Sequence, residues 1–220
     1  MPHLPLWDAR NVGLAHLAEQ APAQVAAFED VLALIDRCID VFEAAAQEDT
    51  YARVCGLTLL KAKNLGIGAY SLILDGLGQE AGALLRPFIE YTELLTYFRL
   101  LPDRVELALN NELPNAGARA RQIEGMYQEF RAHLNEHAAH SSYSAYSLSH
   151  LLERDTLRFK KMQRMVPHVL ERNVRDLAIQ LSLLLQEAVL GLQGVPNAPV
   201  RDLAVAADEL KGRLLNAFGL

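Results

Sequence analysis

A chain of 220 residues is the length of one domain, and 51% hydrophobic with 22% charged residues is the make-up of a globular protein with a sizeable core. A net charge of −6 argues against nucleic-acid binding through overall charge, though a local basic patch would still serve. The two cysteines, Cys38 and Cys55, lie in apolar periodic segments and read as buried thiols of a reducing compartment. No basic-then-apolar leader opens the sequence, and no run of about 18 or more uncharged apolar residues suggests a membrane span, so a cytoplasmic protein without membrane contact is expected.

Residues 1–20 hold Trp7 and a short helical segment, read as an N-terminal appendage. Pro22 suits the first turn of the next helix, in which Val25, Phe28, Leu32, Ile35, Ile39 and Phe42 recur at spacings of three and four. Asp49 or Thr50 is placed to cap a third helix running to about Asp75. That helix is apolar nearly all round and keeps Gly56, Gly66 and Gly68, as a central helix closely approached by neighbours would. A turn at Gly76–Gly78 leads to a helix over 79–100 with Leu84, Phe88, Tyr91, Leu95 and Phe98 on one stripe and a kink expected at Pro87. A short helix over 103–111 and a longer one over 116–139 follow. Residues 140–165 lack periodicity and read as a loop. Pro167 starts a helix that reaches Gly191, and a last helix carries Val200, Leu203, Leu210 and Leu214. With no strand-like alternation, the expected fold is all-α: one domain over 1–220, an antiparallel bundle of about six or seven helices.

The strongest local anomaly is a run of histidines. In the 116–139 helix, Ile123, Met126 and Phe130 form an apolar stripe whose register continues onto His133, His137 and His140. On a straight helix His133 and His140 lie ~20° apart around the axis, with His137 ~40–60° from each. Two chemistries suit this pattern. His133 and His137, four apart, have the spacing to share a transition metal such as zinc, although His140 is ~10 Å along the axis from His133, too far for one ion to take all three unless the helix breaks. Alternatively, Arg131 stabilises the charge on a phosphate while His137 or His140 moves a proton, which suffices without a metal to cleave RNA through its own 2′-hydroxyl. Arg131 and His137 are ~120° apart on a straight helix and converge only if the helix frays or two chains share the site. The plain alternative is a set of core or interface histidines, favoured in any case near a helix C-terminus.

Arg86 and Glu90 are four apart and can pair; with Glu93 they face away from the Leu84–Phe88–Tyr91 stripe, as a solvated face would. A buried Arg–Glu pair there would instead position a histidine on a neighbouring helix. The string Ala83-Leu-Leu-Arg86-Pro-Phe-Ile-Glu90, followed by Leu134-Asn-Glu-His-Ala-Ala-His140-Ser141, resembles a widespread group of uncharacterised bacterial helical proteins with an LLR…E helix and a downstream His-Ser element. That group is distantly similar to the HEPN superfamily of helical nucleotide-binding and RNA-cleaving domains, marked by Arg, four to six residues, then His. Arg131 and His137 match the spacing, and Ala132 stands where a polar residue is usual. The resemblance covers about residues 50–190. It implies a homodimer that cleaves RNA without a metal in a defence or toxin–antitoxin setting, with Arg131, His137 and His140 catalytic and Arg86, Glu90 and Asn135 supporting.

After the loop, Arg154, Arg158, Lys160, Lys161, Arg164, Arg172 and Arg175 outnumber Glu153, Asp155, Glu171 and Asp176, with Phe159 interleaved. Arg158, Lys160, Lys161 and Arg164 are the candidate phosphate contacts, set against the reading of a solvated charged loop. Two further readings stay open: a bundle that binds metal through His133 and His137, and a non-catalytic dimeric interaction or sensor module.

Overall fold

The computed structural model describes residues 8–125, 127–137, 148–149, 151–153, 155–160 and 165–219, with the backbone alone at Asn135 and His137. It is an all-α bundle. In chain order the helices are α1 (Asp8–Gln20), α2 (Pro22–Ala45), α3 (Thr50–Leu74), α4 (Gly78–Leu100), α5 (Val105–Leu109), α6 (Ala116–Gln122), α7 (Gln128–His137), α8 (Pro167–Gly191) and α9 (Val200–Phe218).

Several long helices start or stop where local chemistry dictates. Pro22 occupies the first turn of α2, where its missing N–H costs nothing. Asp49 caps α3, its carboxylate accepting from the Tyr51 N–H at 2.8 Å. Pro167 opens α8 and Gly219 closes α9 in the left-handed conformation, φ 65°.

Helix α3 is the centre of the bundle, packed against α2, α4 and α8. Its glycines are where neighbours come closest. A Cβ on Gly56 would sit 2.9 Å from Phe42 Cβ on α2, and one on Gly66 would sit 3.0 Å from a Leu181 methyl on α8. Phe42, Leu59, Phe88, Phe98, Leu177, Leu181 and Leu184 are fully enclosed between these four helices. Cys38 and Cys55 are buried free thiols, and burial pushes each up to about 12. By length and composition α8 resembles a membrane-crossing helix, but half of its apolar stretch is buried against α2, α3 and α4. Helix α1 is firmly docked: Leu17 is buried, Arg10 holds Asp75 with two 2.7 Å bonds, and His16 meets Glu171 at 2.7 Å.

Two elements differ from the sequence reading. The helix expected over 116–139 is two helices: α6 ends at Gln122 and α7 begins at Gln128. Between them Glu124 takes φ 50°, a conformation no helix contains. The segment 140–165, read as loop throughout, includes an antiparallel hairpin pairing Leu152 with Phe159 and Glu153 with Arg158. Strands of two residues are too short to show an alternating pattern.

The Gly56 contact is testable. Gly56→Val forces a branched side chain into Phe42 and should lower stability by about 1–3 kcal/mol. A fall in the urea midpoint with unchanged slope would show it; an unchanged midpoint would mean that α2 and α3 are not in contact there.

Candidate functional site

The site grows from one face of α4. Arg86, Glu90, Glu93 and Tyr97 follow each other at spacings of four, three and four, the period of a core stripe, and this line faces α6 and α7. Arg86 Nε and Glu90 Oε1 are 3.5 Å apart, both side chains partly exposed. Glu93 and Tyr97 are buried. The charges therefore do not all form the solvated face that their composition suggests: the stripe passes from the surface into the core.

The matching stripe begins at Tyr127, just before α7, and continues on the helix with Arg131 and Leu134, all buried. Arg131 thus holds a position that the pattern reserves for an apolar side chain. It meets Glu93 there: one nitrogen, Nη2, donates to both carboxylate oxygens, at 2.7 and 2.6 Å. The carboxylate also accepts from the backbone N–H of Tyr127. Burial outweighs these two attractions and leaves the Glu93 carboxyl above its ordinary value. Because a single nitrogen makes the pair, the buried Nε of Arg131 has no acceptor among the described residues, and neither has the buried Nε of Arg86.

Arg119 of α6 completes the group. It lies within the field of Glu90, Tyr97, Glu93 and Arg131, and it donates to the Pro114 carbonyl. Burial pulls its guanidinium below the usual value while Glu90, Tyr97 and Glu93 pull it back. Three arginines against two glutamates make the cluster net positive in a protein of net charge −6.

The α6–α7 turn owes its shape to this pair. A Cβ on Gly125 would lie 2.5 Å from Glu93 Oε1, so any larger residue would displace the carboxylate. Beside it opens a cleft of about 160 Å³, lined by Glu93 and Thr96 of α4, Gly125 and Tyr127 of the turn, and Leu183 and Glu187 of α8. Burial, Glu187 and Glu93 together push the Tyr127 phenol up. Glu187 itself is held by Arg99 at 3.1 Å.

The residues singled out from sequence therefore separate. Arg131, Arg86 and Glu90 join the α4 cluster. His133 is exposed on α7 and does not continue a core stripe, because the break at 123–127 resets the register that linked it to Ile123. His137 ends α7, and Asn135 lies within it. Residues 131–137 form uninterrupted helix, so positions 131 and 137 lie ~120° apart around its axis. His140, Lys161 and Arg164 lie outside the described residues. Arg158 and Lys160 stand exposed on the hairpin. Among the described residues no group of three His, Cys, Asp or Glu side chains is disposed to hold a metal. Glu93 and Arg119 were not among the candidates. Glu93 was findable from its place three beyond Glu90 on the same line; Arg119 carried no sequence signal.

No protein family matches the chain, and no curated protein or solved structure is significantly similar to it.

Two outcomes follow from the pair. Arg131→Ala strands a buried carboxylate and should destabilise the fold by about 3–5 kcal/mol, whereas replacing both partners, Glu93→Leu with Arg131→Met, should recover most of that. Chemical denaturation of the two variants decides, and equal losses would mean that the pair is not buried. Second, a carboxyl raised on folding binds its proton more tightly in the native state, so its contribution is present at acid pH and is lost as pH rises from the unfolded value through the native one. Over that window wild type should lose stability relative to Glu93→Gln. A pH series of urea midpoints showing the opposite slope would contradict it.

Proposed function

We propose that this protein is a HEPN-like domain acting on RNA, in which Arg131 is the phosphate-stabilising group and His137 or His140 the acid–base group. One observation carries the reading. The two sequence elements of the resemblance, ALLRPFIE on α4 and the segment beginning at Leu134 on α7, lie far apart in sequence, and the buried Glu93–Arg131 pair locks their helices together. Arg86 and Arg119 add positive charge to the same face, and Arg131 keeps a donor unused.

The chemistry asks little of the protein. A neutral imidazole takes the proton of the ribose 2′-hydroxyl as that oxygen attacks the adjacent phosphorus, and the bond to the 5′-oxygen breaks as that oxygen gains a proton. The products are a 2′,3′-cyclic phosphate and a free 5′-hydroxyl. The extra negative charge on the phosphoryl oxygens is met by guanidinium donors. Since positions 131 and 137 lie ~120° apart around α7, the reading takes the histidine that serves a phosphate held at Arg131 either from beyond the end of the helix or from a second chain; a homodimer accommodates both.

Purified, ribonuclease-free protein should cleave a labelled RNA in the presence of EDTA, and His137→Ala or His140→Ala should reduce the rate at least a hundredfold without lowering the melting temperature. Undiminished cleavage by both variants would rule out the assignment. Cleavage abolished by EDTA, with a stoichiometric transition metal found by elemental analysis, would favour His133 and His137 as metal ligands instead.

A further inference from the structure

Away from the α4 cluster, the hairpin at 152–159 exposes its side chains in a way the bundle does not. Phe159 is 78% exposed and Leu157 73%, more than any other large hydrophobic among the described residues. The Leu157 N–H donates to the Glu153 carbonyl, and the Lys160 N–H to the Leu151 carbonyl, both at 2.8 Å, so the ladder holds Phe159 in a fixed extended setting. Pairing places Phe159 opposite Leu152 and Arg158 opposite Glu153. Alternation sets the Arg158 side chain and the Phe159 ring on opposite faces of the strand, and Lys160 follows where the strand ends.

Both cations of the hairpin, Arg158 and Lys160, are at the surface, as are its acids Glu153 and Asp155. Glu153, which faces Arg158, accepts from the Thr156 hydroxyl at 2.9 Å. Lys160 donates to the Ser149 carbonyl at 2.8 Å; a backbone acceptor takes one ammonium proton and leaves its charge unneutralised. An exposed aromatic ring thus has a cation on either side of it in the chain, with no acidic residue from 157 to 160.

We propose that this hairpin docks single-stranded RNA, with Phe159 stacking on an unpaired base and Arg158 and Lys160 meeting the phosphates on either side. The inference rests on the RNA reading above and names the form of RNA and the place where it binds. Stacking on an aromatic side chain needs an open base face, which a duplex buries, and cations flanking the ring match the alternation of base and phosphate along a single strand. An apolar protein partner would instead be met by a continuous apolar face, which the alternation of Leu157, Arg158, Phe159 and Lys160 interrupts.

The test is fluorescence anisotropy with a labelled single strand of about twelve 2′-O-methyl nucleotides, which stacks like RNA and resists cleavage by its own hydroxyl. Wild type should bind it, and bind the matching duplex more weakly. Phe159→Ala should weaken single-strand binding about tenfold, while Phe159→Trp restores it. Arg158→Ala with Lys160→Ala should lower the slope of log affinity against log salt by up to about two. Melting curves check folding, which an exposed residue should not disturb. Equal binding by wild type and Phe159→Ala would overturn the hairpin site and leave the RNA reading standing. Absence of binding by wild type would overturn both, as would Phe159-dependent capture by phosphatidylserine vesicles in place of the oligonucleotide.

Discussion

The buried pair of Glu93 and Arg131 is the constraint on which the placement of α7 against α4 depends. Desolvating two charges costs several kcal/mol per ion, and a hydrophobic pair of similar volume would pack the same space at least as well. What an ion pair supplies in exchange is register. A leucine at 131 would tolerate a range of positions along α4, whereas a guanidinium nitrogen spanning both oxygens of one carboxylate accepts only one. The Tyr127 N–H on the same carboxylate fixes the start of α7 as well as its middle. From there α7 continues without interruption to His137.

Around this contact the fold divides into two regimes. The four-helix body of α2, α3, α4 and α8 is held by interdigitated aliphatic and aromatic side chains, with small residues on α3 where the backbones come close. The short helices α6 and α7 add a few apolar side chains to that body, Tyr127 and Leu134 among them, and bring to it the polar contacts centred on α4. The chemistry-bearing residues belong mostly to the second regime, supported by a body rigid enough to hold their partners.

The sequence was legible where one physical rule acted alone. Spacings of three and four located α2, α3, α4, α8 and α9, and Asp49, Pro22 and Pro167 marked their starts because capping is a local matter. The interruption between α6 and α7 was not legible, since Ile123, Met126 and Phe130 do keep helical spacing. The break falls where Glu124 takes φ 50° and Gly125 passes close to the Glu93 carboxylate. The Arg86–Glu90–Glu93 line left two readings open, a solvated face because charge is the usual sign of one and a buried Arg–Glu pair; the buried pair that forms joins Glu93 to Arg131, not to Arg86. Arg131 was noticed for its spacing to His137, yet its true distinction, an arginine at an apolar position of α7, depended on knowing where α7 begins. The hairpin lay below the length at which alternation becomes visible.

Gly125 carries a consequence for descent. Its hydrogen and the Glu93 carboxylate compete for one small volume, so neither residue is free to drift independently. A lineage that kept the glutamate while acquiring alanine at 125 would have to shift the carboxylate from its place. One that first shortened the acid to aspartate would open room for the methyl group and loosen the hold on Arg131. The two positions should therefore be inherited as a unit, and their joint presence would serve as a fingerprint by which distant kin of this chain can be sorted from bundles that merely share its outline.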